Sequence, residues 1–194
     1  EEIKERPVLS EMRVGKDDYG RATYPYHDID GNIIGIKYHK GKNGESPYWE
    51  GDGACKWYGV YLFKNYNKSK PLYNCEGEND CLMLLTLGHQ AICGSAGAGS
   101  IPKDLSPIDG FAEYIIIYDN DSAGKKGAEK LAERMVIEFG KPVKIAQWRN
   151  GLHDGYDISD DAKNGFEEMD YAVNNSREYH LPRRGTLIMK HSEL

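Results

Sequence analysis

The stretch YDNDSAG at residues 118–124 is the part of the sequence that decides the fold. The run before it, EYIIIY at residues 113–118, is short, apolar and β-rich, which is typical of a strand buried on both faces. The segment after it, residues 124–139, repeats its apolar residues with helical spacing. Asp119 and Asp121 therefore lie where a predicted strand ends and a predicted helix begins.

These two aspartates are separated by one residue, and side chains at positions i and i+2 of an extended segment point to the same side. Both carboxylates can thus face one point at the carboxyl edge of a sheet, where open α/β sheets bind their ligands. Two like charges so close together need a cation, and carboxylate oxygens suit Mg²⁺ or Mn²⁺. The alternative is that Asp121 or Ser122 only caps the helix while Asp119 is solvated.

A second acidic turn has the same arrangement. The strand-like run PLYNC at residues 71–75 ends at Glu76, and an apolar helix follows it and closes at Gly88. Gly77 allows the backbone to turn tightly directly after the glutamate. Glu76 is therefore predicted at the carboxyl end of a strand, like Asp119, and this recurrence favours one acidic site over two unrelated helix caps.

Four motifs together resemble those of the Toprim domain in order and spacing: EGENDCL (76–82), GSAGAG (94–99), DNDSAG (119–124) and DISD (157–160). Bacterial and phage primases, type IA and type II topoisomerases and some nucleases share this domain. The Asp-x-Asp-x-Ala-Gly form, followed by a long amphipathic helix, resembles the primase-like branch, which includes phage-type and plasmid-type primases and primase-helicases.

The resemblance implies an α/β fold in which a central, mostly parallel sheet is flanked by helices. We expect this Toprim catalytic domain at residues 71–175, and the alternation of strands and helices there indicates right-handed parallel crossovers. A small antiparallel β-rich subdomain is expected at residues 1–70, where the Asp-Gly step in HDIDGN (27–32) signals a hairpin. Residues 176–194 are predicted to be a tail or a linker to a further domain.

The resemblance also implies the roles of the acidic residues. Asp119 and Asp121 would bind metal, Asp157 would do so with them, and Glu76 would be either a ligand or a general base. Asp160 is a second candidate beside Asp157.

The segment around Asp157 departs from the family pattern. Primase-like Toprim domains often carry Lys-Asp-x-Asn-Asp here, whereas this chain has Tyr156 in place of the lysine and Ser159 in place of the asparagine. The departure leaves open how this segment contacts phosphate.

Two further groups of residues are candidates for binding. Unhindered backbone N–H groups in the turn of Gly94, Gly97 and Gly99 could cradle a phosphate, although the turn lacks the Gly-Lys-Ser/Thr end of a Walker A loop and could simply be tight. Basic residues interleaved with aromatic ones make a plausible groove for a single strand, but such lysines are often only solvated and such aromatics often form core. The lysines in question are Lys37, Lys40, Lys42, Lys56 and Lys64.

Composition sets limits on the function. A formal net charge of −6 is not that of a simple nucleic-acid binder and counts mildly against such a function. No apolar run is long enough to span a bilayer, and no signal-peptide pattern is present, so we expect no membrane partner. The four cysteines form no C-x-x-C pair, and we expect most of them in the core rather than in a zinc site. These features fit a cytoplasmic protein, and the resemblance implies a bacterial cell or a phage-infected host.

The favoured hypothesis is a DNA primase core that uses nucleoside triphosphates and a pair of Mg²⁺ or Mn²⁺ ions to synthesise short RNA primers on single-stranded DNA. A replicative helicase is an implied partner. A Toprim nuclease or strand-transfer module is an alternative, because the same acids can break a phosphodiester. A non-catalytic module that binds nucleic acid is another.

Overall fold

Two β-sheets organise the part of the chain that the computed structural model describes, residues 7–39, 46–52 and 55–182. A short helix, α1 (Pro7–Glu11), leads into the smaller sheet, whose four strands are antiparallel and follow one another in chain order. The strands are β1 (Gly15–Lys16), β2 (Ala22–His27), β3 (Ile33–Tyr38) and β4 (Tyr48–Gly51).

The predicted Asp-Gly hairpin joins β2 to β3. The Asp28 carboxylate accepts hydrogen bonds from the backbone N–H groups of Asp30 and Asn32, which closes the turn. Gly31 has a φ of +93°, a backbone conformation that glycine adopts without strain. The smaller sheet therefore confirms the predicted antiparallel subdomain.

The larger sheet has six strands in the order β10-β9-β8-β6-β7-β5, of which the central four are parallel and the two edge strands antiparallel. Its strands are β5 (Trp57–Tyr58), β6 (Leu72–Cys75), β7 (Gln90–Gly94), β8 (Tyr114–Ile117), β9 (Val143–Ile145) and β10 (Arg177–Glu178). Its helices are α2 (Glu78–Thr86), α3 (Ser122–Phe139), α4 (Ile158–Asp161) and α5 (Glu167–Asn174).

The connections of the larger sheet reverse direction between β6 and β8. The crossover through α2 leads from β6 to β7 on one side, and the crossover through α3 leads from β8 to β9 on the other. Because parallel crossovers are right-handed, the two helices cover opposite faces of the sheet. The carboxyl ends of β6 and β8 border a crevice at this reversal, which is where α/β sheets bind ligands.

A hydrophobic core lies on each face of the larger sheet. One core packs α2 and α5 against the sheet, and the other packs α3 against it together with Leu105, Ile108 and Phe111. All four residues of β6 and all four of β8 are buried, as the apolar runs in the sequence predict. The buried thiols of Cys75, Cys81 and Cys93 are free and belong to the first core.

The border between the two sheets does not coincide with the predicted domain boundary at residue 70. Strand β5 precedes that boundary but pairs with β7, so the larger sheet begins at Trp57. Strand β10 lies in the predicted tail and pairs with β9. These two-residue strands cover edges that would otherwise leave backbone groups unpaired. In the described part of the chain, no helix has the length and apolar character needed to cross a membrane.

Gly127 allows α3 to lie directly against the turn after β7. A Cβ atom at Gly127 would lie 2.4 Å from the carbonyl oxygen of Ala98. We expect Gly127→Ala to lower the free energy of unfolding by about 1–3 kcal/mol through overpacking, although alanine is the better helix former. Urea denaturation measures the change.

Gly99→Ala in the same turn is the matched control, because no atom lies within 4 Å of its added Cβ. Its free energy of unfolding should stay within about 0.5 kcal/mol of wild type. If Gly127→Ala were as stable as Gly99→Ala, α3 would not be fixed against the turn.

Candidate functional site

The ends of β6 and β8 bring acidic residues to a common cavity. Cys75 and Ile117 are register partners in these parallel strands, so Glu76 and Asp119 follow at the same edge. A cavity of about 230 Å³ lies there, and β2 and β3 of the smaller sheet supply its other wall. The acidic residues that line it are Glu76, Glu78, Asp80, Asp119 and Asp157.

Glu76 has a buried carboxylate oxygen that makes no hydrogen bond within the described residues, its Oε2. Burial raises the pKa of Glu76, and the nearby charges of Asp121 and Asp157 add to the increase, while backbone N–H groups of Ala98 and Asp119 oppose it. A buried oxygen without a partner is costly, so this atom is suited to bind a ligand.

Asp119 carries the clearest electrostatic signature of the site. Burial raises its pKa from 3.8 to about 7, and the negative charges of Glu76, Asp157 and Asp121 contribute after burial. Asp119 is thus a partly buried carboxylate among like charges, and its role as a metal ligand stays a prediction. A carboxylate whose charged form is this disfavoured gains most from a neighbouring cation.

Asp121 and Asp157 each cap a helix with the same backbone geometry, extended at a φ of −130°. The Asp121 carboxylate accepts a hydrogen bond from the backbone N–H of Gly124 at 2.6 Å, and Asp157 accepts one from Asp160 at 2.7 Å. The capping alternative thus applies to Asp121, which does not line the cavity. Capping holds one oxygen and so fixes the direction of the whole carboxylate.

Asp80 is a site residue that the sequence analysis missed. Its side chain is buried beside the cavity, and the hydroxyl of Ser159 donates a hydrogen bond to its Oδ1 at 3.1 Å. Burial raises the pKa of Asp80 strongly, and the charges of Asp157 and Asp119 raise it further. The signal was available, because Asp80 lies in the first turn of α2, directly after the strand end that carries Glu76.

The donor atoms of the site fit a hard divalent cation. Carboxylate oxygens are the ligands that Mg²⁺ and Mn²⁺ prefer, and the unpaired oxygen of Glu76 and the raised pKa of Asp119 both mark a place that lacks positive charge. In the described ranges, no three acidic, histidine or cysteine side chains converge closely enough to form a ready metal site. The carboxylates surround one cavity without meeting at a common point.

Lys37 reaches the cavity from β3 and forms a largely buried ion pair. Its Nζ lies 2.6 Å from Oε1 of Glu78, with side-chain exposures of 15% and 5%, and donates a second hydrogen bond to the carbonyl oxygen of Ser95 at 2.9 Å. The hydroxyl of Tyr26 also donates to Glu78. Lys37 therefore joins the smaller sheet to α2, a role that the sequence did not reveal.

The other candidate lysines lie outside the cavity. Lys56 forms an ion pair with Asp52 at 2.9 Å on the surface, and Lys64 is exposed at the end of a 3₁₀ helix. Lys40 and Lys42 lie outside the described residues. A role for these lysines in binding nucleic acid stays a prediction.

The glycine turn after β7 lies against Glu76. Gly97 has a φ of +71°, and a Cβ atom there would lie 3.8 Å from Oε1 of Glu76. A Cβ atom at Gly94 would lie 3.3 Å from the carbonyl oxygen of Ser100, whereas Gly99 has open space around it. Close packing thus accounts for Gly94 and the positive φ for Gly97, and the phosphate cradle stays a prediction.

Asp119 also lines a second, larger cleft of about 560 Å³. This cleft lies beyond the ends of β8 and β9, between α3 and the loop of residues 147–152. Lys125 and Trp148 contribute to its walls. Asp119 thus separates the acidic cavity from a mixed polar and aromatic cleft.

Comparison with known proteins relates this geometry to a family. Residues 73–161 match the family model described as Toprim-like. Comparison with curated proteins gives no match.

Solved structures of primases share the fold. The primase fragment of the bacteriophage T7 primase-helicase is 24% identical with a TM-score of 0.68, and the match covers 86% of this chain and 68% of that one. The zinc-binding and RNA polymerase domains of the Aquifex aeolicus primase are 22% identical with a TM-score of 0.66, and the match covers 82% of this chain and 41% of that one. A DnaG catalytic domain bound to single-stranded DNA is 20% identical with a TM-score of 0.63, and the match covers 89% of this chain and 63% of that one. This chain thus spans less than half of the Aquifex chain.

The raised pKa of Asp119 predicts a pH-dependent stability in the presence of EDTA. The folded protein binds this proton more tightly than the unfolded chain, so the stability of wild type should fall as pH rises from about 4 to beyond 7. Asp119→Asn removes the charge, and its melting temperature should exceed that of wild type by roughly 3 °C at pH 8 and converge with it near pH 4.

Asp154→Asn makes the same charge change at an exposed position of the neighbouring loop and is the control. Its melting temperature should follow that of wild type at every pH. Parallel curves for wild type and Asp119→Asn would show that Asp119 is not held in a repulsive environment.

The ion pair of Lys37 and Glu78 predicts a large cost for removing one partner. Lys37→Met should lower the free energy of unfolding by about 3–5 kcal/mol in urea, because Glu78 would stay buried without its cation. Lys37→Met combined with Glu78→Gln should recover part of the loss.

Lys56→Met is the control, since Asp52 is 56% exposed and such pairs contribute at most about 1 kcal/mol. An equally small effect for Lys37→Met would mean that water reaches Glu78.

Proposed function

The domain at residues 73–161 belongs to the Toprim-like family, and from that premise we propose that this chain is the catalytic core of a DNA primase. The fold that it shares with primase cores supports the proposal. The observation that carries it is the buried, unpaired oxygen of Glu76 inside a cavity lined by further carboxylates. The reaction is the template-directed synthesis of short RNA primers from nucleoside triphosphates.

Primer synthesis requires divalent metal ions and a nucleoside triphosphate, and we propose that the acidic cavity binds them. The 3′-hydroxyl of one nucleotide attacks the α-phosphate of the next, and pyrophosphate leaves. A pair of Mg²⁺ or Mn²⁺ ions, when bound, makes the hydroxyl more acidic and neutralises the triphosphate. Asp119 and Asp157, which line the cavity, would hold these ions, and Asp121, which caps α3 through Oδ1 outside the cavity lining, would contribute through its other oxygen.

Glu76 is suited to one of two roles. As a ligand it would offer its unpaired Oε2. As a general base it would accept the proton of the 3′-hydroxyl, and its raised pKa makes it a stronger base for that transfer. Asp80, which accepts a hydrogen bond from Ser159, would help to hold the segment of Asp157 at this edge.

Single-stranded DNA and a helicase are the proposed partners. One primase of the same fold is described in complex with single-stranded DNA, and another is a fragment of a primase-helicase. Of the lysines proposed from the sequence, Lys56 and Lys64 lie at the surface and are candidates for contact with a template, with Lys40 and Lys42 as further candidates. The turn at Gly94, Gly97 and Gly99 is proposed to face a phosphate. A primase would act in the cytoplasm of a bacterial cell or phage-infected host.

Incorporation of labelled nucleoside triphosphates on mixed-sequence single-stranded DNA tests the function, with Mg²⁺ and with Mn²⁺. Wild type should make short products. Asp119→Ala and Asp121→Ala should each reduce incorporation at least about a hundredfold, because each removes a carboxylate that would hold a metal ion. Asp154→Ala, at an exposed acid of the neighbouring loop, should retain activity.

The same reactions distinguish the alternatives. Cleavage of the template that requires a divalent ion, without incorporation, would support the Toprim nuclease. Binding of single strands with neither reaction would support a non-catalytic module. Full incorporation by Asp119→Ala would contradict the assignment of the acidic cavity.

A further inference from the structure

Asn120, the residue between the two aspartates, binds the loop that precedes Asp157. Its backbone N–H donates to the carbonyl oxygen of Tyr156 at 2.9 Å, and its own carbonyl oxygen accepts from the N–H of Gly155 at 3.2 Å. Its side-chain Nδ2 donates to the carbonyl oxygens of His153 at 3.2 Å and Leu152 at 3.4 Å. Four hydrogen bonds thus connect one residue to a loop more than thirty positions later.

The loop before Asp157 has other supports besides Asn120: the buried ring of Tyr156 packs against Trp148, and its hydroxyl donates a hydrogen bond to Asp161 at 2.8 Å. After β9 ends at Ile145, the chain crosses to α4 without forming another strand of the larger sheet among the described residues. At its start, the loop is held by the indole nitrogen of Trp148, which donates to the carbonyl oxygen of Tyr118 at 2.7 Å. At its end, Asn120 is bonded to Tyr156, the residue directly before Asp157.

The charges of the site act against this arrangement. Asp157 lies close enough to Glu76, Asp80 and Asp119 to raise the pKa of all three. Its repulsion from these carboxylates favours movement of the loop away from the cavity. The hydrogen bonds of Asn120 oppose that movement and connect Asp157 to the turn that carries Asp119.

We propose that Asn120 is a positioning residue whose side-chain amide holds Asp157 beside Asp119 for binding of the divalent cation. The inference rests on the proposed function, since it concerns the same cavity. It adds a role for the middle residue of the Asp-x-Asp motif, which contacts neither cation nor substrate in this role.

Asparagine is required here because both partners of its side chain are carbonyl oxygens. These atoms only accept hydrogen bonds, and the amide nitrogen of asparagine has two hydrogens to donate. Aspartate has nearly the same shape but at neutral pH only accepts, so its carboxylate would face two carbonyl oxygens. Alanine would leave both carbonyl groups without this donor while the backbone hydrogen bonds remain.

The substitution Asn120→Asp distinguishes a positioning role from an electrostatic role, because the two predict opposite changes in cation affinity. An added negative charge next to Asp119 and Asp121 would by itself strengthen attraction of a cation. Loss of the two side-chain hydrogen bonds would weaken binding, because the loop before Asp157 would keep only its two backbone hydrogen bonds to Asn120 and could shift away from the cavity. Weaker binding in spite of the added charge is therefore specific to positioning.

The experiment is titration of the whole chain with Mn²⁺, in which the electron paramagnetic resonance signal of free Mn²⁺ gives the dissociation constant. Asn120→Asp should bind about tenfold more weakly than wild type or worse, and Asn120→Ala about three- to tenfold more weakly, as expected for losing one or two hydrogen bonds. Asn150→Ala is the control, because Asn150 is an exposed asparagine of the same loop. It should bind within about twofold of wild type.

Two further measurements distinguish positioning from a general loss of structure. The melting temperature of Asn120→Ala in EDTA should stay close to that of wild type. If Asn120→Asp does not fold, Asn120→Ala is the variant that tests the inference. In the incorporation assay, the Mn²⁺ concentration at half-maximal rate should rise in parallel with the dissociation constant. The maximal rate should recover at saturating Mn²⁺.

The outcomes separate this inference from the proposed function. Binding by wild type together with equal or tighter binding by both Asn120 variants would overturn the positioning role and leave the primase proposal intact. Absence of Mn²⁺ binding by wild type would overturn the metal-dependent function and the positioning role with it. Weaker binding by the Asn120 variants, with Asn150→Ala unchanged, would establish the role.

Discussion

The repulsion between carboxylates gathered at one sheet edge is the constraint on which the rest of this structure depends. Parallel pairing of β6 with β8 brings Glu76 and Asp119 together regardless of their charges. Helix caps then fix Asp121 and Asp157 by one oxygen each. Backbone hydrogen bonds thus hold these carboxylates close together although their negative charges repel one another. Because the cavity is left with a deficit of positive charge, it is suited to bind a cation.

The smaller sheet belongs to the same electrostatic arrangement. Lys37 of this sheet forms an ion pair with Glu78, which lies in the first turn of α2 two residues after Glu76. The ion pair is shielded from water, so its geometry matters more than that of the surface pair formed by Lys56. The antiparallel sheet is therefore one wall of the site as well as a neighbouring subdomain, which explains why the cavity has residues from both sheets.

The sequence predicts those features that depend on local patterns. Glu76 and Asp119 could be placed at one edge because each follows a buried strand, and parallel strands align their ends. The pairing of Lys37 with Glu78 could not be predicted, because it joins residues 41 positions apart through the packing of two sheets. The same holds for strand β5, whose two residues carry no periodic signal and pair only because the edge of β7 is open.

The order of the strands in the larger sheet has a consequence for synthesis on the ribosome. Strands β1 to β4 pair in chain order, so the smaller sheet can form as its hairpins emerge. Strand β6 is central, and both of its parallel partners follow it in the chain. The acidic edge therefore stays incomplete until the segment of Asp157 has left the exit tunnel. Until β7 and β8 have also been synthesised, the apolar strand β6 has no parallel partner and is prone to aggregation.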